Sequence, residues 1–438
     1  MRIPPGPPME KKIATPPSAG HDQKLDVRGR CRRVVNKAGH RRSLLLGLAA
    51  ALLALVAACG SDEGKVPGVT DSEIVLGQHT PLSGSYAAVY APIASAQQAY
   101  FDYVNSQGGV CGRSIVLKVE DDFYDPARAL DVTKRLVEQD KVLAIVGGLG
   151  TAPHSAVYEY LNEKRVPDLF VSSGARKWGS DPKHFPYTIG FITDYTSEGA
   201  IIGKYISAHF PGQKVGLLYQ NDDFGKDGLA GLRAGVVAEK NELVSLQSYE
   251  SSDVDIRSQV LNLRDAGVEV VVGYSLPGFS AQLISGASRM GWKPEIILSY
   301  VNTDPVMFEY VPKEVMEGVL ATGYLIPPDR TDETAIAQHR QIMGDHDGPQ
   351  PSNYSLYGQA LAETVVKVLG DTCGDLTREG LLRAAESLRG FHASVLLQGI
   401  DINLGPSDHY AIQALQMHRA AGGRWEPFGE IVSLDQSG

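Results

Sequence analysis

The chain has 438 residues, about three times the usual size of one domain, and this length predicts two or three folded units. Its composition, 43% hydrophobic and 21% charged, is that of a globular protein and excludes a wholly disordered or collagen-like chain. Residues 1–58 carry 11 basic and 3 acidic side chains; the other 30 basic and 48 acidic side chains leave a net charge of −18, which argues against nucleic-acid binding by the folded part.

The beginning of the chain has the pattern of an export signal. Arg41-Arg42 precede an apolar run of 15 residues, Leu44–Ala58, which as a helix would span roughly 22 Å and fall short of a bilayer core. This pattern predicts a signal peptide over residues 1–58 and a tether over residues 59–71. The run Val56-Ala57-Ala58-Cys59 resembles the lipobox of bacterial lipoproteins, which implies cleavage before Cys59 and lipidation of its thiol. The alternative is an ordinary signal peptide with an incidental cysteine.

From residue 73 onward, strand-like apolar segments alternate with amphipathic helical segments. In the first half, strands are predicted at Ile74–Gly77, Ile115–Glu120, Val142–Val146 and Leu169–Val171, and helices at Ile93–Asn105, Pro126–Gln139 and Pro153–Lys164. In the second half, strands are predicted at Val215–Tyr219, Leu243–Tyr249, Val268–Gly273 and Ile296–Leu298, and helices at Glu198–His209, Asp227–Lys240, Ile256–Asp265 and Ser280–Met290. The tail adds helices at Asn353–Leu369 and Arg378–Leu388 and a hairpin of Ala411–His418 and Trp425–Val432. This order predicts an α/β fold with two doubly wound lobes.

Loops beyond the carboxyl ends of parallel strands are where such sheets bind ligands. These loops are Thr80–Tyr90, Gly147–Pro153, Ser172–Trp178, Asn221–Gly225, Tyr274–Phe279 and Tyr300–Asp304. They are rich in Gly, Ser, Thr, Tyr and Phe and poor in His, Cys and paired carboxylates, which indicates binding rather than catalysis. Backbone N–H groups at Gly150-Thr151 and the Thr151 hydroxyl are predicted to receive a carboxylate, with simple helix capping by Thr151 as the alternative.

Three motifs come close to enzyme or metal sites and fail. The segment Gly148–Pro153 has a proline in place of the third glycine of a dinucleotide-binding turn. The segment Gly273–Pro277 has a proline in place of a glycine of a nucleophile elbow, and Asp345–Gly348 lacks the rest of a metal loop. The sequence therefore predicts a protein with no catalytic residues, no cofactor and no metal. The alternative is an enzyme on a doubly wound fold.

Several motifs together resemble the type I periplasmic solute-binding proteins of the leucine/isoleucine/valine-binding class, which serve ABC importers. They are residues 74–84 (IVLGQHTPLSG), 108–113 (GGVCGR), 121–126 (DDFYDP), 221–225 (NDDFG) and 290–292 (MGW), and the resemblance covers about residues 72–432. It implies two Rossmann-like lobes joined by three crossovers, with the ligand enclosed between them. Lobe I would comprise residues 72–193 plus 323–407, and lobe II residues 194–322 plus 408–432.

The resemblance also implies a set of ligand-binding residues. In amino-acid-binding members, the ligand carboxylate meets the loop that is Gly150-Thr151 here, and the next loop adds further contacts. An aromatic residue of lobe II closes over the ligand, and another aromatic residue lines the pocket near the first loop. The implied residues are Gly150, Thr151, Ser173, Gly174, Ala175, Arg176, Phe224 and Tyr300, together with Tyr90 or its rival Tyr86.

Two departures from the family pattern concern the ligand. Arg176 stands where a Thr often meets the ligand's amino group, and Tyr300-Val301-Asn302 lacks the Glu that neutralises this group. Because an ammonium without a carboxylate partner is costly to desolvate, desamino or aromatic acids are predicted to bind at least as well as leucine. Arg176 would then pair with a ligand carboxylate, or else is a solvated loop charge.

Four cysteines are present. Cys31 would leave with the signal peptide and Cys59 would be lipidated, so Cys111 and Cys373 remain in an oxidising compartment. The family's topology places both in lobe I and implies a disulfide between them. The alternative is two independent buried thiols.

These observations predict a lipid-anchored receptor, exported and held at the outer face of the bacterial cell membrane. It would bind a small carboxylate-bearing solute, such as a branched-chain or other amino acid or an aromatic or organic acid, and present it to an ABC permease as a monomer. The alternative is a ligand-sensing subunit that signals to a membrane receptor. Both functions need only ligand-dependent closure, so the sequence does not separate them.

Overall fold

The computed structural model of the chain describes residues 66–433. The predicted signal peptide, Cys31, Cys59 and most of the tether lie outside these residues. Within residues 66–433, none of the helices combines the length and the hydropathy that a bilayer-spanning segment requires.

The first sheet has five parallel strands, which are β1 (Glu73–Thr80), β2 (Ser114–Asp121), β3 (Ile145–Val146), β4 (Asp168–Val171) and β5 (Thr188–Gly190). Their order is β2-β1-β3-β4-β5, and β1 pairs with β2 along its whole length from Glu73 opposite Ser114 to Thr80 opposite Asp121. The helices of this part are Ala87–Ser106, Pro126–Glu138, Thr151–Ser155 and Tyr158–Glu163. Every residue of β3, β4 and β5 is buried, as expected for a parallel sheet that is covered on both faces.

The second sheet has seven strands in the order β12-β11-β10-β9-β8-β6-β7. They are β6 (Lys214–Gln220), β7 (Glu242–Tyr249), β8 (Val270–Tyr274), β9 (Glu295–Leu298), β10 (Leu320–Gly323), β11 (Ala414–Ala421) and β12 (Arg424–Ser433). The strands β6 to β10 pair in parallel, whereas β11 is antiparallel to both β10 and β12. The hairpin of β11 and β12 therefore extends one edge of a parallel sheet.

The remaining helices lie between and after these strands. They are Tyr195–His209, Asp223–Gly235, Arg257–Asp265, Pro277–Arg289, Met307–Tyr310, Lys313–Met316, Thr334–Asp345, Asn353–Asp371 and Arg378–Glu386. The helix Asn353–Asp371 comes after strand β10 in sequence, but it contacts the helix Ala87–Ser106: the ring of Tyr354 lies 5.3 Å from that of Tyr90. The lobe boundaries at 193/194, 322/323 and 407/408 stay predictions.

Most predicted elements are present, and the differences have local causes. Only Ile145–Val146 of the predicted strand Val142–Val146 pairs as a strand, and the predicted helix Pro153–Lys164 is two short helices. The helix predicted at Asp227–Lys240 begins at Asp223, because the Asp222 side chain accepts a hydrogen bond from the backbone N–H of Phe224 and caps that end. Strands β5 and β10 and the helix Thr334–Asp345 were not predicted.

A disulfide joins two segments that are distant in the sequence. Cys111 follows the helix Ala87–Ser106, Cys373 follows the helix Asn353–Asp371, and their Cα atoms lie 5.3 Å apart. The bond closes a sequence separation of 262 residues. It therefore ties the late helix to the first sheet's helices.

Candidate functional site

A cavity opens where the carboxyl ends of both sheets meet. It encloses about 740 Å³ of space, its opening included, which is within the range of small-molecule sites. The loops after β3, β4, β6, β8, β9 and β10 all contribute lining residues. The cavity thus lies where the parallel-sheet rule places ligands.

The cavity wall is mainly aromatic and aliphatic. Its aromatic residues are Tyr90, Tyr124, Tyr195, Phe224, Tyr300, Tyr324, Tyr354 and Tyr357, and its aliphatic residues are Ile93, Leu149, Ile192, Leu276, Val301 and Leu325. The rings contact one another: the centroids of Tyr195 and Phe224 are 4.6 Å apart, and those of Tyr195 and Tyr300 are 5.8 Å apart. Such a wall favours a solute with an apolar or aromatic body.

Neutral polar groups from the first sheet form one part of the wall. The Thr151 and Ser173 hydroxyls are 2.7 Å apart, and the Tyr357 hydroxyl donates to that of Ser172 at 2.9 Å. Gly150 has a φ of 96°, and a Cβ there would lie 2.7 Å from the ring of Tyr124. A side chain at this position would collide with the cavity wall, so the turn before Thr151 requires glycine.

Asp304 is the one ionisable carboxylate among the residues that line this cavity, and no Lys, Arg or His is among them. Its side chain accepts the backbone N–H of Val306 at 2.8 Å, and burial raises its pKa. Beside it, the Asn353 amide donates to the Thr303 hydroxyl at 2.9 Å, while the Asn353 Oδ1 atom is buried without a hydrogen-bond partner in the described part of the chain. Two acceptors, one of them a carboxylate, thus lie on the side of the cavity formed after β9.

A second carboxylate lies under the same loop. Glu198, on the helix Tyr195–His209, is fully buried and accepts hydrogen bonds from the Tyr300 backbone N–H at 2.8 Å and the Ser299 hydroxyl at 2.9 Å. The Thr322 hydroxyl also donates to it. Burial raises the pKa of Glu198 to about 7. It supports Tyr300 from behind the cavity wall.

The segment Tyr300-Val301-Asn302 contains no carboxylate, but the structure places two beside it: Asp304 follows two residues later, and Glu198 is about a hundred residues away in the sequence. Loop geometry brings the first into the cavity, and helix packing brings the second against the loop.

The structure brings some of the predicted site residues together and not others. Tyr90, Gly150, Thr151, Phe224 and Tyr300 line the cavity, whereas Tyr86, Ser173, Gly174, Ala175 and Arg176 do not. Ser173 instead contacts Thr151 from behind, and the Gly174 carbonyl accepts the backbone N–H of Tyr195 at 2.7 Å. The Tyr86 hydroxyl donates to the Ser251 carbonyl, so this ring joins segments of the two sheets.

Arg176 faces away from the cavity. Its side chain is 51% exposed, and its guanidinium lies 3.9 Å from the carboxylate of Asp194. Its backbone N–H donates to Asp227 at 2.8 Å. The position agrees with the alternative of a solvated loop charge.

Other cavity residues lie outside the loops that the strand pattern indicates. Asn353, Tyr354 and Tyr357 lie at the start of a helix far from the strands in sequence. Tyr195 and Tyr324 follow β5 and β10, two strands that the sequence pattern does not predict. Tyr124 lies in the motif of residues 121–126 and Asp304 ends the loop Tyr300–Asp304, so the sequence carries a signal for both residues. The Tyr354 hydroxyl donates to the Val301 carbonyl at 2.8 Å, which joins this helix to the loop after β9.

Comparison with known proteins finds relatives that are named as amino acid-binding proteins. Leu/Ile/Val-binding protein homolog 1 of Brucella abortus (strain 2308) is 25% identical over 334 residues, which cover 75% of this chain and 83% of that protein. An amino acid binding protein of Pseudomonas aeruginosa is 26% identical over 308 residues, which cover 66% of this chain and 76% of that protein.

Solved structures share the fold. A branched chain amino acid ABC transporter protein from Thermus thermophilus with bound valine has a TM-score of 0.75 at 21% identity, covering 84% of this chain and 98% of that one. A fatty acid ABC transporter substrate-binding protein from Thermomonospora curvata has a TM-score of 0.72 at 26% identity, covering 85% of this chain and 95% of that one. These likenesses confirm the predicted α/β fold.

The family model described as periplasmic binding protein matches residues 73–424. This match covers most of the chain, the strands β1 to β11 and every residue that lines the cavity. The family consists of solute-binding proteins that work with ABC permeases, so the prediction of a protein that is not an enzyme is confirmed. The chain belongs to the periplasmic binding protein family and is a type I member of it.

Proposed function

We propose that this protein captures a zwitterionic amino acid with a bulky apolar or aromatic side chain and presents it to an ABC permease. The observation that carries the proposal is a cavity with an aromatic and aliphatic wall, a single carboxylate, Asp304, and no cationic side chain. A zwitterion brings its own positive charge to that carboxylate, and its side chain fills the apolar space.

Each end of such a solute has a chemical partner of the matching kind in the wall. The ammonium group needs acceptors, and the Asp304 carboxylate and the unpartnered Asn353 Oδ1 atom provide them. The solute carboxylate needs donors, and the hydroxyls of Thr151 and Ser172 provide them without a cation. Exchanging water for these partners favours binding because the polar groups stay hydrogen-bonded when the cavity closes.

The names of relatives support two solute classes. The Brucella protein is named for leucine, isoleucine and valine, and the Pseudomonas protein for amino acids. The Thermomonospora protein is named for fatty acids, whose carboxylate has no ammonium beside it. A hydrophobic monocarboxylate is therefore the second candidate solute, and the predominantly apolar wall favours it.

Calorimetry with two matched pairs of solutes tests the proposal. The pairs are leucine with 4-methylpentanoate and phenylalanine with 3-phenylpropanoate, which differ only in the ammonium group. We expect the amino acid of at least one pair to bind more tightly, and a thermal shift to report about 2.7 kcal/mol of stabilisation at 100 times the dissociation constant. Equal or tighter binding of both desamino acids would instead support the second candidate.

We also propose that the mature protein is anchored by lipid at Cys59, outside the cytoplasm. The support is the Val56-Ala57-Ala58-Cys59 run after a short apolar segment. Cys59→Ser should leave an unacylated precursor, measured by metabolic labelling with palmitate, and unchanged acylation would contradict the proposal.

Solute uptake by cells that lack the protein separates delivery to a permease from sensing. If the protein is a sensor, its loss leaves uptake intact when the transporter is expressed independently.

A further inference from the structure

Four ionisable side chains form a continuous hydrogen-bonded chain beneath the first-sheet side of the cavity. His79, at the end of β1, contacts Asp122 through Nδ1 at 2.7 Å and His154 through Nε2 at 2.9 Å. The other ring nitrogen of His154 contacts Asp168 at 2.8 Å. All four side chains have 0% exposure. None of the proposed solute contacts uses these groups.

The number of protons in this chain follows from its three contacts. Each contact joins two atoms with lone pairs, so each needs one proton to be a hydrogen bond. Two ionised carboxylates and two neutral imidazoles supply only two protons. One of the three contacts would then oppose two lone pairs, which is repulsive. The geometry therefore requires a third proton and gives the chain a net charge of −1.

The groups around the chain place this proton at one end. Burial lowers the pKa of His154, and the nearby charges of His79 and Lys177 act in the same direction, against the opposing effect of Asp168. Lys177 itself pairs with Asp223 at 2.8 Å, and Thr188 donates to Asp168 at 3.0 Å. His154 is thus the neutral imidazole and carries the proton of its contact with Asp168, so the other two protons lie in the two contacts of His79.

The chain contacts the cavity wall at two points. The second oxygen of Asp122 accepts the backbone N–H of Tyr124 at 2.7 Å, and Tyr124 lines the cavity. His154 belongs to the short helix that starts at Thr151, and its backbone N–H donates to the Gly150 carbonyl at 3.0 Å. A Cβ at Gly148 would lie 2.6 Å from His154 and 2.7 Å from His79, so the backbone before Gly150 rests directly on the two rings.

We infer that Asp122, His79, His154 and Asp168 are positioning residues whose shared third proton holds Tyr124 and the Gly150-Thr151 turn in place for the solute. Loss of that proton leaves one of the two contacts of His79 without a hydrogen bond, so the groups on either side of it repel and the wall that rests on them moves. Solute affinity then falls at alkaline pH, in step with the release of one proton. This inference rests on the proposed solute binding.

Nuclear magnetic resonance of the full-length protein with ¹⁵N-labelled histidine counts the protons directly. At pH 6.5 we expect a proton in each of the three contacts of the four side chains, and the one between His79 Nε2 and His154 Nδ1 is seen as a scalar coupling between the two nitrogens across the hydrogen bond. Only two protons in the three contacts would overturn the inference. His154→Asn provides the assignment. Two unprotonated nitrogens in this contact at pH 6.5 would overturn the inference, whatever the protein binds.

Calorimetry with leucine from pH 6 to pH 9 tests the effect on affinity. In the wild type, the dissociation constant should rise by up to tenfold per pH unit above the pH at which the proton leaves. His154→Asn should lose this dependence and keep only the titration of leucine itself. If that variant does not fold, Lys177→Met serves instead, because removal of the nearby cation should move the loss of affinity to higher pH.

The outcomes distinguish this inference from the proposed function. Binding of leucine that is independent of pH in the wild type overturns the positioning role and leaves the proposed function intact. Absence of binding by every solute at every pH overturns the proposed function. The proton count from magnetic resonance then tests the hydrogen bonds among the four side chains without reference to binding.

Discussion

The regions of the two sheets handle buried charge differently. In the first, Asp122 and Asp168 are fully buried but each contacts an imidazole, and a disulfide ties the region to the helix Asn353–Asp371. In the second, burial raises the pKa of four carboxyl groups, Glu198, Asp222, Asp227 and Asp304. None of these four forms an ion pair with another residue between 66 and 433.

This difference indicates a division of labour. Paired charges and a covalent cross-link stabilise the first region in one arrangement. The second region has buried carboxyl groups without an ion-pair partner among the described residues. It can therefore respond to pH or to the solute, because a proton or a solute ammonium relieves the cost of burying their charge. Four changes test this comparison, taken from the largest expected effect to the smallest.

Removal of the disulfide should have the largest effect on stability. Cys111→Ser with Cys373→Ser frees a loop of 262 residues in the unfolded chain and should lower the free energy of unfolding by about 2–4 kcal/mol, measured in urea. Solute affinity should stay within a factor of three, because the bond lies away from the cavity. Mass spectrometry that finds both thiols free in the unreduced protein would contradict the bond.

Glu198→Gln should change how stability depends on pH. Because the folded protein holds the Glu198 proton more tightly than the unfolded chain does, its contribution to stability is complete below pH 4.5 and is lost as the pH rises through about 7. The wild type should therefore lose roughly 3 kcal/mol between pH 4.5 and pH 8.5 that the variant keeps. Glu242→Gln, at an exposed position, is the matched control, and an identical pH profile of Glu198→Gln and wild type would refute the prediction.

Asp304→Asn should weaken the binding of amino acids more than the binding of desamino acids. Loss of a charged hydrogen bond costs about 1.5–3 kcal/mol, or roughly 10- to 150-fold in the affinity for leucine. The affinity for 4-methylpentanoate should not fall, because this solute has no ammonium. Asp332→Asn, which is exposed, controls for the loss of a negative charge. A parallel loss for both solutes would show that Asp304 acts only on the structure of the cavity.

Arg176→Gln should have the smallest effect. A half-exposed guanidinium 3.9 Å from its partner contributes little, so the affinity for either member of a solute pair should change by less than about threefold. A loss of tenfold or more for both members, measured by calorimetry, would restore a direct role for Arg176 in holding the solute carboxylate.

Much of the site follows from local sequence because parallel sheets bind ligands at one edge. Gly150, Thr151, Phe224 and Tyr300 lie directly after strands that the apolar runs identify, and all four line the cavity. The same rule overreached in the loop after β4, where Ser173–Arg176 follow a strand but face the protein or the solvent. A strand's end fixes where a loop begins, whereas the direction of each side chain depends on what packs behind it.

The sequence by itself determined the alternation of strands and helices, the family and the polar loops, because these depend on periodicity and on residues close together in the chain. Only the tertiary structure decided which buried polar and ionisable groups contact one another. Glu198 reaches Tyr300 across 102 residues, and His79 reaches His154 across 75. Such contacts leave no local pattern, since each arises from the packing of whole elements rather than from the spacing of residues. The charge environment of the cavity therefore appears only when the two sheets are assembled.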